Sequence, residues 1–216
     1  MIRFSLGRGI VLVLVAISLL SAVGCRSILT TAMYLIRGTE VEPDFKGMKG
    51  KRVAVVCRPL VSLQYRNANV AHELAERITI LLQQRVPKIK TIDQREVAKW
   101  LDENTWEEYV EVGQALKADL VVGIDLEGFN IYQGQTLYQG KANVAVRVYD
   151  CQDEGKVVYE KILPQVVYPP NSAVPTSERT EAQFRREFVA VLAEQIARHF
   201  YAHDPYEDMA LDATTL

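Results

Sequence analysis

Three cysteines, three histidines and several acidic pairs are the side chains whose chemistry could reach beyond packing. Cys25, Cys57 and Cys151 show no Cys-x-x-Cys spacing, so the sequence offers neither a zinc knuckle nor a thioredoxin-type redox pair. Cys57 and Cys151 each end a separate strand-like run. They are expected as two buried free thiols, because a bridge requires their Cα atoms to be close. In "HFYAHD", His199 and His203 stand four apart with Asp204 beside them, a spacing that chelates zinc when both lie on one helical face. No glutamate sits inside that motif and no third ligand precedes it. His199 is therefore expected to extend the apolar stripe of Ile196 and Phe200, and His203 to lie near a helix end, where the dipole favours a cation. The acidic clusters "LDEN" and "WEEY" fall at helix starts or on polar faces and suit capping and solvation. No Gly-x-Gly-x-x-Gly, Walker or Gly-x-Ser-x-Gly motif is present, and His72 lies in a charged helix. The expectation is no catalytic residue, no metal and no cofactor, with a hydrolase or zinc enzyme as a competing reading.

Cys25 has a different setting. Arg3 and Arg8 open the chain, Ile10 to Leu20 is almost unbroken apolar sequence, and Ser21, Ala22 and Gly24 are small residues just before the cysteine. The run is shorter than the roughly 20 residues a membrane-crossing helix needs, so an export signal fits better than a permanent span. "SAVGC" resembles the lipobox of bacterial lipoproteins, in which the cysteine sulfur receives a diacylglycerol and the chain is cut before it. Ala22 stands where leucine is most common in that pattern. The competing reading is an uncleaved helix continuing through "SILTTAMYLI". The expected organisation is a signal over 1–24, a lipid-anchored tether over 25–50, a folded domain over 51–203 and a flexible acidic tail over 204–216.

The domain elements follow from periodicity. "KRVAVVCR" is a continuous β-branched run of the kind buried on both faces. In "ANVAHELAERITILLQQRV", Val70, Leu74, Ile78, Leu81 and Leu82 recur at helical spacing, with Asn67 or Asn69 as the cap. "KIKTI" is a short strand, Asp93 caps "QREVAKWL", and Thr105 with Glu108 forms a capping box for "WEEYVEVGQALK". "ADLVVGIDLEGFNIY" and "KANVAVRVYD" read as a hairpin turning at Gly134, the second strand placing Ala142, Val144, Val146 and Val148 on one side. "GKVVYEKIL" is the most polar strand and so an edge. A proline-rich loop then leads to a helix with a stripe of Phe184, Phe188, Val191, Leu192, Ile196 and Phe200. The fold class is α/β, one domain with a mixed five-stranded sheet covered by helices, in the order β-α-β-α-α-β-β-β-α; the first three strands are parallel and the last two antiparallel. The 216 residues suffice for one such core, and a net charge of -2 offers no basic field for a nucleic-acid partner.

Over about 51–201 the chain resembles a group comprising the amino-terminal domain of TolB, the periplasmic domain of the curli secretion subunit and the lipoprotein activators of penicillin-binding proteins. The resemblance lies in the element order and in "RVAVV" with "VAHELAERITILL", "TIDQREVAKWLDEN" and "VGQALKADLVVGIDLEG". Lys117 replaces the group's common glycine, and Gln94 stands where arginine is frequent. The resemblance implies a non-enzymatic module of the cell envelope that binds and positions or activates another envelope protein. It also implies a membrane-anchored location facing the periplasm, at the outer membrane. Self-association is left open, as is a secretion-channel role, for which only "EGFNIYQGQTLYQGK" approaches a membrane strand. The residues expected to anchor a partner are apolar and aromatic side chains in loops: Leu60, Leu63 and Tyr65 after the first strand, and Phe129, Tyr132 and Tyr138 toward the hairpin tip.

Overall fold

The structure, a computed structural model, describes residues 40–59 and 61–204, with the backbone course alone for 61–68. The signal, most of the tether and the tail, with Cys25 and Leu60, lie outside the described residues. A compact unit begins at Glu42. It contains β1 (Arg52–Pro59), α1 (Val61–Arg85), β2 (Lys90–Thr91), α2 (Gln94–Glu103), α3 (Tyr109–Ala115), β3 (Leu120–Tyr132), β4 (Leu137–Asp150), β5 (Lys156–Ile162), β6 (Val166–Tyr168), β7 (Val174–Pro175) and α4 (Glu181–Ala197).

The sheet runs β2-β1-β3-β4-β5. β1 is parallel to both β2 and β3, and β4 is antiparallel to β3 and β5, as the pattern of crossovers and hairpins predicts. β6 and β7 extend the sheet by pairing with the outer part of β4. Both lie in the proline-rich segment read as a loop, where prolines and short length hide the strand period.

Two apolar layers cover the two faces. On one, α1 and α4 bury Val70, Leu74, Ile78, Phe184, Phe188, Leu192 and Ile196 against Val53, Val55, Val122, Ile124 and the row Ala142, Val144, Val146 and Val148. On the other, Val97, Tyr109, Val112 and Leu116 of the α2–α3 region cover Ala54, Val56 and Val121. That second layer reaches little beyond β3, so β5 keeps Val157, Val158 and Ile162 exposed.

Local chemistry sets the element ends. Asp93 caps α2 by accepting from the Arg95 N–H at 2.8 Å. α3 starts later than expected, capped at Glu108, whose N–H donates to Glu111 at 3.0 Å. Thr105 is outside it. α1 starts earlier, at Val61, which places Asn67 and Asn69 inside the helix. α4 opens on a Thr180–Gln183 capping box, and Gly134 takes φ +75° at the hairpin turn.

The segment before β1 is docked. Met48 is in the main core, and the Phe45 ring lies 5.7 Å from Tyr159 and 6.4 Å from Phe200. The Asp44 carboxylate pairs with His199 Nδ1 at 2.9 Å and accepts from Lys161 Nζ and Tyr159 OH, each at 3.4 Å. Burial opposes ionisation of Asp44, but His199 and Lys161 together outweigh it and hold the carboxyl below its usual range.

Candidate functional site

The six residues expected to anchor a partner do not form one exposed surface. Phe129 and Tyr138 are 8% and 5% exposed, which corrects their placement in an open loop. Phe129 stacks on Phe188 at 5.2 Å and Tyr138 on Phe184 at 5.1 Å. The reason is α4: its aromatic stripe needs an apolar floor, and the β3–β4 hairpin supplies it. The same packing places Phe129, Ile131 and Tyr138 of "EGFNIYQGQTLYQGK" in the core. Tyr132, 38% exposed, remains available at the hairpin end, its hydroxyl donating to Glu181 at 2.8 Å. That bond pushes its phenol up to about 12. Leu63 and Tyr65 fall on the helical backbone of α1 and not in a loop; their side chains lie outside what the structure describes.

The histidine pair is separated. α4 ends at Ala197, a short 3-10 turn spans Arg198–Phe200, and the backbone is extended at Tyr201, so His199 and His203 share no helical face. His199 is committed to Asp44, and burial lowers its imidazole pKa despite the attraction of that carboxylate. Among the described residues no group of three metal-ligating side chains converges. Cys57 and Cys151 are free thiols. Burial, reinforced by Asp125, pushes the Cys57 thiol far up, and burial pushes Cys151 up to about 11. Neither is poised as a nucleophile at neutral pH.

The densest polar cluster centres on Asp125 of β3. Its Oδ1 accepts from Tyr109 OH at 2.8 Å and Arg58 Nε at 3.2 Å; its Oδ2 accepts from Arg147 Nη1 at 2.8 Å. Arg147 Nε donates to Glu160 at 2.7 Å, and Arg58 Nη1 to the Glu107 carbonyl at 2.9 Å. The Arg58 guanidinium also lies 4.7 Å from the centre of the Tyr109 ring. With both oxygens engaged, Asp125 is no free base. The cluster ties β1, β3, β4, β5 and α3 together. Its signal in the sequence was an aspartate inside an otherwise apolar strand, a placement that favours partners even for a carboxylate that is only half-buried.

Concavities among the described residues include two beside the helices. A groove of about 450 Å³ between α1 and α4 is lined by Ile80, Leu81, Ala190 and Val191, with Arg77, Glu187 and Glu194 at its margin. The marginal charges are paired, Arg77 with Glu73, Glu187 with Arg179 and Glu194 with Tyr201. Such a surface can receive apolar side chains but holds no group that would act on them. The second, a cleft of about 480 Å³, lies where β1 ends between α1 and α2. No helix among the described residues is long and apolar enough to cross a membrane.

No protein-family model matches the sequence and no curated protein matches it. Solved structures do. The chain is similar to the PelC dodecamer subunit from Paraburkholderia phytofirmans at 12% identity, over 73% of this chain and 92% of that one, with a TM-score of 0.43. It is similar to lipoprotein GNA1162 from Neisseria meningitidis at 12% identity, over 68% and 97%, with a TM-score of 0.43. It is also similar to the LpoB C-terminal domain from Salmonella enterica at 15% identity, over 55% and 84%, with a TM-score of 0.36.

Proposed function

We propose that this protein is a lipid-anchored module of the bacterial cell envelope, attached through Cys25, whose folded unit binds and positions or activates another envelope protein without turning over a substrate. The observation that carries the non-catalytic part is the engagement of its polar groups. Asp125, His199, Arg58 and Arg147 are each held by partners within the fold, and burial holds the Cys57 thiol protonated. Catalysis needs a group whose protonation or nucleophilicity is free to change. The anchor rests on the layout of residues 3–25.

The folded unit starts at Glu42, so roughly 17 residues separate it from Cys25, a span of at most about 60 Å at full extension. Confinement to that distance from a membrane raises the unit's effective concentration toward partners at the same surface. One acyl chain holds a protein only marginally, so a stable anchor requires a multiply acylated cysteine.

Mass spectrometry of the membrane-extracted protein tests the anchor. The expected species begins at acylated Cys25; an intact chain from Met1 to Leu216 overturns it. Photocrosslinking from position 132 tests the partner. Capture of a distinct envelope protein is expected, and crosslinks confined to this chain would refute that choice of surface.

A further inference from the structure

The chain enters the folded unit across one end of the sheet, and basic side chains gather there. The Phe45 N–H donates to the His199 carbonyl just beyond α4 at 3.1 Å, Met48 is buried in the main core, and the Lys51 N–H turns back onto the Met48 carbonyl at 3.1 Å. The Lys51 carbonyl then accepts from the Lys90 N–H at 2.9 Å, and β1 pairs with β2 at Arg52 and Lys90. Those bonds bring two short sequences side by side, "KGMKGK" over 46–51 and "RVPKIK" over 85–90. The end of α1 is drawn to the same place, with the Arg85 guanidinium 5.6 Å from the centre of the Tyr201 ring.

Both sequences alternate in the same sense. Met48 and Val86 are buried and Ile89 packs against the core, so the lysines between them are turned outward. Lys49, Lys88 and Lys90 are exposed and Lys51 is partly so. Among the described residues none of these four forms an ion pair. The carboxylates around them are already engaged: Glu42 pairs with Lys46, Asp119 Oδ2 accepts from the Arg52 N–H at 2.7 Å, and Asp153 in the β4–β5 turn pairs with Lys156 at 3.6 Å. A local positive surplus remains, which the net charge of -2 for the whole chain conceals. The four ammonium groups stand on two adjacent chain segments and line no cavity given above. A spread array of this kind suits a broad, planar negative charge better than a single phosphate or carboxylate.

We propose that this end of the domain lies against the anionic phospholipid headgroups of the membrane to which the tether leads, with Lys49, Lys51, Lys88 and Lys90 facing the phosphates. The proposal rests on the anchor at Cys25 for its geometry: the tether joins the folded unit at Glu42, four residues before the first of the two basic sequences, so the lysines are kept within reach of that surface. β3 starts beside β1 at Leu120 and ends at Tyr132. It therefore carries Tyr132 to the opposite end of the sheet, about 40 Å away, where a partner approaches from the side facing away from the membrane.

The test uses the full-length acylated chain reconstituted into vesicles of phosphatidylcholine alone, or of phosphatidylcholine and phosphatidylglycerol in equal parts. Lysine acetylation is followed residue by residue by mass spectrometry, and flotation reports attachment to the vesicles. Acetylation of Lys49, Lys51, Lys88 and Lys90 is expected to be slower by about fivefold or more with phosphatidylglycerol, since each basic residue at an anionic surface gains about fivefold in binding. High salt should remove the difference. Lys99 and Lys141 should react equally in both vesicles. Lys88→Glu with Lys90→Glu, two exposed changes, should remove the protection of Lys49 and Lys51. A chain that floats with both vesicles but shows no phosphatidylglycerol-dependent protection overturns the proposal and leaves the anchor standing. A chain that floats only with phosphatidylglycerol at low salt, with the four lysines protected, supports the basic surface and overturns the anchor. Protection shared equally by Lys99 and Lys141, or seen only after an acidic envelope protein is added, overturns the proposal.

Discussion

Replacing Gly140 by alanine is the most direct test of how α4 is seated on the hairpin. A methyl group built at Gly140 would lie 2.4 Å from Phe188 Cγ and 2.5 and 2.6 Å from the two Cδ atoms. Carbon atoms pack at about 3.5–4.0 Å, so the ring must retreat by more than about 1 Å. It has nowhere to go, since Phe188 is fully buried and stacked on Phe129. Overpacking of this kind costs about 1–3 kcal/mol, and the lower entropy of an unfolded chain with alanine offsets about 0.4–1 kcal/mol of it. The expected net loss is about 1–2 kcal/mol, or about 2–8 °C in Tm for a domain of this size. Urea unfolding followed through the fluorescence of Trp100 and Trp106 measures it. Phe188→Ala alone should cost about 3–5 kcal/mol by leaving a cavity. The double variant should cost less than the two singles together, because the added methyl enters the vacated space. A Gly140→Ala protein within about 0.5 kcal/mol of the parent, or strict additivity in the double variant, would refute this account of the packing.

Asp125→Ala leaves Arg58, Arg147 and Tyr109 without their shared acceptor; because both arginines are partly solvated, the expected loss is about 2 kcal/mol in urea unfolding, and a loss below about 0.5 kcal/mol would mean that water replaces the carboxylate. The docking of Asp44 predicts a pH dependence. His199 and Asp44 both have folded pKa values below their ordinary 6.5 and 3.8, so the unfolded chain takes up protons first as pH falls. Their contribution is complete above about pH 6.5, declines through the histidine range and is lost below the carboxylate range. Urea midpoints should fall between pH 7.5 and pH 5, and less so in His199→Gln; midpoints that rise toward pH 5 would show that the ion pair outweighs burial. Ultraviolet titration should place the Tyr132 phenol at about 12, and Glu181→Gln should bring it down; an unchanged titration would mean that the Tyr132–Glu181 bond does not persist in solution.

The legibility of this chain depended on how local each signal was. Apolar periodicity located β1, α1 and α4, and the alternation of Ala142, Val144, Val146 and Val148 gave the buried face of β4 before any contact was known, because one face of a strand must be covered. Asp93 was readable as a cap because capping spans only a few residues. β6 and β7 were not readable, since strands of two or three residues exist only by virtue of β4 beside them. Gln94 looked like an ordinary first residue of a helix, and its bond to the Val55 carbonyl, 39 positions away, left no local sign.

By itself the sequence determined the class of fold and the parallel and antiparallel blocks of the sheet, both of which follow from short-range periodicity and composition. Tertiary structure alone decided which aromatic residues are surface and which are core. Phe129, Tyr132 and Tyr138 look equivalent in "GFNIYQGQTLYQG", yet α4, from more than 40 positions further along the chain, buries the first and third and leaves the second in contact with water. Tertiary structure also placed His199 on Asp44, 155 positions away, and Gln94 on the Val55 carbonyl of β1. Burial and long-range pairing depend on which elements pack together, and the local pattern of one strand contains no record of the helix that will cover it.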